Sequence, residues 1–383
     1  MTAMAEKASE KARPLDQALR EERGARLHAA MAKEGFDLLA VVANPWRCDA
    51  LRYSTSVALT EGYAVALIER GGATRLIVES PDEAARIAVE HPELKVSWSV
   101  SAVAEAERVL GEAGKKTVGL APRVAVPYRL AKGPHAGGIA KASAMMDRLM
   151  MRKSPAEIEA VRRASAMADD GYQVFMKAAR VGRPEYQLVA DVEAYYRSRG
   201  CPDNFQILGS GNVEVRGMHP PGERLLKAGD LVTTELTPCI EGYYAQICRT
   251  LVIGEATDAQ KKAHAVYNEA MEAGIAAVRP GVTAGGVARA LNDVFRKFNL
   301  GQYVTSEYTR VRGHGLGLYA DGKPSLLEDV DTVLEADMTL IVHPNTYHPD
   351  IGYFVHGDSL RVTETGCEVF CKTPRELFSV PVQ

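Results

Sequence analysis

Three histidines, a glutamate, a glutamine and a cysteine stand where side chains could do chemistry. His219 lies in Gly217-Met-His-Pro-Pro, His314 in Arg312-Gly-His-Gly-Leu-Gly317, and His343 ends the apolar run Leu340-Ile-Val. Residues 231–253 read as two strand-like runs around a Glu241-Gly242 turn. Folded as a hairpin, they bring Glu235, Gln246 and Cys248 together on adjacent strands. Polar side chains inside apolar strands are costly to bury without partners, so a site explains them better than chance. The bland alternative is an ordinary β-ribbon with an incidental Glu and Gln.

Each candidate has its own chemistry. An ordinary imidazole titrates near 6.5, so His219, in a rigid exposed loop, suits a general base acting on water. The glycines around His314 let the backbone approach a ligand closely, which presents the ring rather than packing it. No helix start with Lys-Ser/Thr follows, so this loop is not a phosphate cradle. His343, taken alone, reads as a hydrogen-bonded core histidine. Glu235 either satisfies buried backbone or Arg249, or serves as an acid/base or a binder of a nitrogen group. Cys248 is a nucleophile only if an imidazolium lowers its pKa, and otherwise an inert buried thiol. His356 and Asp358 flank Gly357, and strand alternation argues against both reaching inward equally. Arg310, Arg312 and Lys323 are cations near the expected pocket mouth, and Arg47 and Arg52 belong to the first half of the chain.

The order and spacing of these stretches, with Gly357-Asp-Ser-Leu-Arg-Val-Thr363 after them, resemble the pita-bread family of methionine aminopeptidase, aminopeptidase P, prolidase and creatinase. The resemblance covers about residues 154–369, more weakly the first half. It implies that five metal-ligand positions (Asp, Asp, His, Glu, Glu) fall on Glu235, Gln246, His314, His343 and Gly357. Only His314 is unchanged, and bridging two divalent cations needs charged oxygens. Creatinase and ectoine hydrolase, members without metals, look nearest in function. Tyr243-Tyr244 and Arg249-Thr250-Leu251 resemble creatinase segments, and His219 falls on creatinase's catalytic histidine. Cys248 and His343 stand where creatinase has carboxylates, which argues against a guanidinium substrate. The resemblance therefore implies a metal-independent hydrolase cutting a non-peptide C–N bond of a small polar nitrogen compound. In it His219, His314, His343 and Glu235 are catalytic. Gln246, Cys248, Tyr244, His356, Asp358, Arg312, Lys323 and Arg52 contact the substrate. No cofactor is expected, and a homodimer is. Two alternatives are a mononuclear metal hydrolase or lyase on His314, His343 and Glu235, and a non-catalytic binding protein.

The elements that must position these groups fall into two domains, 1–150 and 151–383. The first alternates helices and strands as an α/β domain. Ser80-Pro81 opens one of its helices with a cap and a proline at the first turn. In the second, an α+β domain with a curved antiparallel sheet covered by two helix pairs, Ser154-Pro-Ala-Glu157 is a capping box. It starts a helix to about residue 179, and Pro184 starts another to Gly200. Residues 208–212 read as a loop, 217–222 as a second loop holding His219 at the sheet edge. Residues 258–278 and 284–298 form the second helix pair, and strands follow from 334 to 372.

With 46% hydrophobic and 25% charged residues, 383 residues suffice for two ordinary cores. A net charge of -3 leaves no footprint for nucleic acid, and no apolar run is long enough to span a membrane. Residues 1–13 have no apolar core and read as a helical tail rather than a secretory signal. Six scattered cysteines without a Cys-x-x-Cys pair suggest reduced thiols in a cytoplasm.

Overall fold

A computed structural model describes residues 14–382. The expected tail, residues 1–13, lies outside them. The chain divides into two compact units, with the boundary between Met150 and Met151.

In the first unit, β1 (Leu38–Ala43), β2 (Ala64–Glu69), β3 (Thr74–Val78), β4 (Lys95–Trp98) and β5 (Val118–Ala121) make a sheet in the order β4-β3-β2-β1-β5. Its helices are α1 (Pro14–Glu34), α2 (Asp49–Thr55), α3 (Pro81–Glu90), α4 (Ala102–Gly111), α5 (Tyr128–Ala131) and α6 (Ile139–Met151). β1 is buried along its whole length, as a central strand covered on both faces must be. Ser80 caps α3 through its hydroxyl, which accepts from the Glu83 amide, and Pro81 fills the first turn.

The second unit opens with α7 (Pro155–Ala178) and α8 (Glu185–Ser198). The Ser154 hydroxyl accepts from the Glu157 amide, and the Glu157 carboxylate accepts from the Ser154 amide at 2.8 Å, satisfying two otherwise orphaned donors. Then come β6 (Asn204–Gly211), β7 (Leu231–Ile240), β8 (Tyr243–Tyr244) and β9 (Ile247–Ile253). The second helix pair is α9 (Asp258–Ala277) and α10 (Ala284–Lys297). The remaining strands are β10 (Gly313–Gly315), β11 (Gly322–Ser325), β12 (Thr339–Val342), β13 (Thr346–His348), β14 (Gly352–Phe354), β15 (Gly357–Val362), β16 (Cys367–Val369) and β17 (Phe378–Val380). The main sheet runs β11-β10-β12-β15-β9-β7-β6, and β13 and β14 form a separate hairpin. Residues 208–211 are not a loop: they finish β6, paired with residues 231–234 of β7. Glu241 and Gly242 turn the β7–β8 hairpin with positive φ of 52° and 86°. That conformation is why a glycine is needed in the turn.

Alternation gives the sheet two unlike faces. On one, Val232, Leu236, Leu340, Val342 and Leu360 pack into the apolar clusters that also hold helix residues Tyr172, Tyr196, Met271 and Leu291. The opposite face carries Glu235, Cys248, His314, Ile341 and His343, and the candidate site is built there.

Candidate active site

Glu235 and Cys248 face each other across the β7–β9 ladder. The Asn345 side-chain amide donates to Glu235 Oε1 at 2.9 Å, and the Cys248 thiol is a second hydrogen-bond partner of the same carboxyl. No cation is among these partners. Burial against packed protein pushes Glu235 from 4.5 up to about 7, only partly offset by those two hydrogen bonds, with Asp321 adding a like-charge push. The Gln246 amide donates to Cys248 Sγ at 3.3 Å. Leu316, Ile341, Tyr353 and Val355 pack with Cys248 in one apolar cluster, and Val215 and Met218 pack against them.

His314 and His343 meet edge to face, ring centroids 5.7 Å apart. The paired strands β10 and β12 place them, with Gly313 opposite Val342. Nδ1 of His314 lies 3.1 Å from the Gly315 carbonyl, which can only accept. The proton therefore sits on Nδ1, leaving the Nε2 lone pair available. Asp321 lies 3.7 Å from the same nitrogen. Burial lowers the pKa of His314, and burial together with His314 and Arg312 lowers that of His343 well below the usual value. Both rings are neutral at physiological pH, and among the described residues Nδ1 of His343 has no hydrogen-bond partner.

The other expected residues divide. His219 is exposed, bridged through its backbone to Leu208 at the edge of β6. Its Nδ1 donates to the Pro220 carbonyl at 2.7 Å, and among the described residues no hydrogen bond joins its ring to Glu235, His314 or His343. His356 and Asp358 turn to the helix face, because they are one residue either side of inward-facing Gly357. His356 packs on His264 and Phe354, and Asp358 holds Arg249 at 2.7 Å and Arg375 at 2.6 Å. Arg249 thus pairs with Asp358 rather than with Glu235. Arg312 is fully buried, not at the mouth: it donates to Asn292 Oδ1 at 2.6 Å and to the Asn345 carbonyl at 2.8 Å. Arg310 is tied to Asp329, and Lys323 is exposed on β11. The Tyr244 hydroxyl donates to Asp203, away from the cluster. Arg52 belongs to α2 of the first unit. Burial and Glu235 push the Cys248 thiol well above its usual pKa, the opposite of what a nucleophile needs. Asn345 was not among the expected site residues: it stands in the link between β12 and β13, where no strand alternation marks its face, and only the fold brings it to Glu235.

Residues 159–364 match the metallopeptidase family M24. The chain belongs to this family. A peptidase of Bacillus subtilis, YqhT, is 29% identical over 61% of this chain and 65% of its own length. The Xaa-Pro dipeptidase of Pyrococcus furiosus is 27% identical over 60% and 65%, and the probable dipeptidase PepE of Mycobacterium bovis 31% over 63% and 64%. The chain thus spans a little under two-thirds of these curated relatives. Among solved structures, the Xaa-Pro dipeptidase of Bacillus anthracis superposes with a TM-score of 0.79 at 24% identity, covering 94% of this chain and 100% of its own. Dipeptidase PepE of Mycobacterium ulcerans gives 0.79 at 25%, covering 96% and 99%. The M24 pita-bread fold, a curled antiparallel sheet with helices, is the fold of this chain. These findings overturn the expectation of a metal-independent, creatinase-like enzyme for a non-peptide C–N bond: the relatives are peptide-bond hydrolases of a metallopeptidase family.

The family name implies a metal, and the donor set tests it. Of the five ligand positions only Glu235 keeps a carboxylate, and the Gln246 amide is engaged with Cys248. A Cβ on Gly357 would lie 2.9 Å from both Cys248 Sγ and His343 Cβ, so no longer side chain fits there without movement. Among the described residues no three His, Cys, Asp or Glu side chains form a group able to hold a metal ion. The residues present do not fit the family's metal centre.

Proposed function

We propose that this protein hydrolyses the amide bond of a small, dipeptide-sized molecule at Glu235, on the sheet face that also carries Cys248, His314 and His343. The observation that carries the reading is Glu235 itself, held by the Asn345 amide opposite Cys248 on the inner face of the sheet, where burial pushes its carboxyl up to about 7. A carboxyl poised near neutrality can both give and take a proton, as amide hydrolysis requires of a general acid/base. Neutral His343, whose Nδ1 has no partner among the described residues, can donate to a carbonyl oxygen without fixed charge, and Nε2 of His314 can accept from an N–H of the substrate. The dipeptidase relatives support the substrate size and the bond class. His219, with Nδ1 occupied by Pro220, presents Nε2 as an acceptor at the sheet edge and is proposed as a substrate-binding group. A homodimer in the cytoplasm completes the proposal. Six free cysteines agree with a reducing compartment, and the described residues hold no helix long and apolar enough to cross a membrane.

The test is a panel of dipeptides, including Xaa-Pro sequences, assayed with Mn2+, Co2+ or Zn2+ and with chelator. Hydrolysis that falls at least about a hundredfold in Glu235→Gln supports the reading. No cleavage of any dipeptide under any of these conditions rejects it.

A further inference from the structure

We propose that Arg216 binds the free carboxylate of the substrate, an assignment that rests on the dipeptide-sized reading above. Arg216 lies three residues before His219, on a segment tied to the β13–β14 hairpin. On either side of it Val215 and Met218 pack against the apolar cluster of Cys248, Leu316, Ile341, Tyr353 and Val355. The Val215 carbonyl accepts from the Tyr353 amide at 2.9 Å, and the Val213 carbonyl accepts from the Tyr347 hydroxyl at 2.9 Å.

From this segment the Arg216 guanidinium sits 5.3 Å from the centroid of Tyr347 and 5.9 Å from that of Tyr308. Those two rings stack, 5.6 Å apart at 23°, and Tyr303 closes the group edge-on to Tyr308 at 5.0 Å. Aromatic faces attract and orient a guanidinium without neutralising it. Arg216 is exposed, and among the described residues it makes no ion pair and no side-chain hydrogen bond. Its neighbours differ: Arg310 is tied to Asp329 and Arg312 is buried against Asn292. Tyr347 stands two residues along the chain from Asn345, the residue that holds Glu235. A charged planar fork, positioned but with its donors unengaged, is matched by a carboxylate through two parallel hydrogen bonds. A dipeptide-sized molecule carries one such group at its C-terminus.

Calorimetric titration with alanyl-proline and with alanyl-proline amide tests this. The wild-type protein is expected to bind the acid at least about tenfold more tightly than the amide. Arg216→Ala is expected to bring that ratio near one with an unchanged melting temperature, and Arg216→Lys to keep part of it, since it retains charge but not the fork. Loss of a merely structural contact would weaken both probes alike. If Arg216→Ala keeps the acid-over-amide preference, the assignment is wrong while the dipeptide reading stands. If the wild-type protein binds neither probe, the dipeptide reading fails and takes the assignment with it.

Discussion

Replacing Glu235 by glutamine should change the pH dependence of stability in a direction fixed by the site. In the unfolded chain the carboxyl titrates at about 4.5, and in the folded protein at about 7. Between those values the folded protein holds a proton that the unfolded chain has lost. Stability is therefore highest below pH 4.5, falls as pH rises through the window, and levels off above about 7. At 1.36 kcal/mol per pH unit the full separation corresponds to roughly 3 kcal/mol. Glu235 is only half-buried by area, so solvent screening reduces the expected effect to about 2 kcal/mol. Glutamine keeps the shape and cannot ionise, so the variant lacks this slope. Urea unfolding of both proteins at pH 5 and pH 8 measures it, because all other titrations cancel in the difference. The variant should gain about 2 kcal/mol on the wild type between the two pH values. An equal difference at both would show that Glu235 ionises normally and that the acid/base assignment has no basis.

Three further outcomes are expected. Gly357→Glu, which restores the family's last carboxylate, should lower stability by roughly 1–3 kcal/mol through contact with Cys248 and His343, and Cys248→Ala in the same chain should recover part of the loss in thermal melts. Arg249→Met should cost roughly 3–5 kcal/mol in chemical unfolding, because it leaves Asp358 buried with Arg375 as its one remaining cation. His356 is buried, with neither ring nitrogen partnered among the described residues, and burial with Arg249, His264 and Arg375 nearby lowers its pKa well below 6.5. The unfolded chain then takes up a proton that the folded protein refuses, so stability falls as pH drops below 6.5. His356→Phe should leave stability at pH 7.5 little changed and lessen the loss at pH 5.5, as melting temperatures at the two pH values would report.

Much of the framework was legible because it rests on local rules. The Ser154 capping box, the Glu241-Gly242 turn and the pairing of Glu235 with Cys248 all follow from spacing within a few residues of chain. Residues 208–211 misled because Gly209 and Gly211 look like loop, yet the ladder to β7 holds them extended. The reading of the reaction failed for another reason. Substituted ligand positions suggested kinship with metal-free enzymes, but family membership is carried by the whole sheet and its helices, not by five side chains.

What the sequence determined by itself is the set of ingredients: helices with their caps, the hairpin, and alternating strands with polar groups on one side. Which face each strand turned inward depended on its neighbours in the sheet, and that decided the site. Pairing sent His356 and Asp358 to the helices, buried Arg312 away from solvent and set Asn345 on Glu235. It also laid Arg216 across Tyr308 and Tyr347, residues about ninety and one hundred and thirty positions further along the chain. Period and propensity are properties of a few adjacent residues, whereas desolvation and aromatic contact arise only once distant segments have packed together.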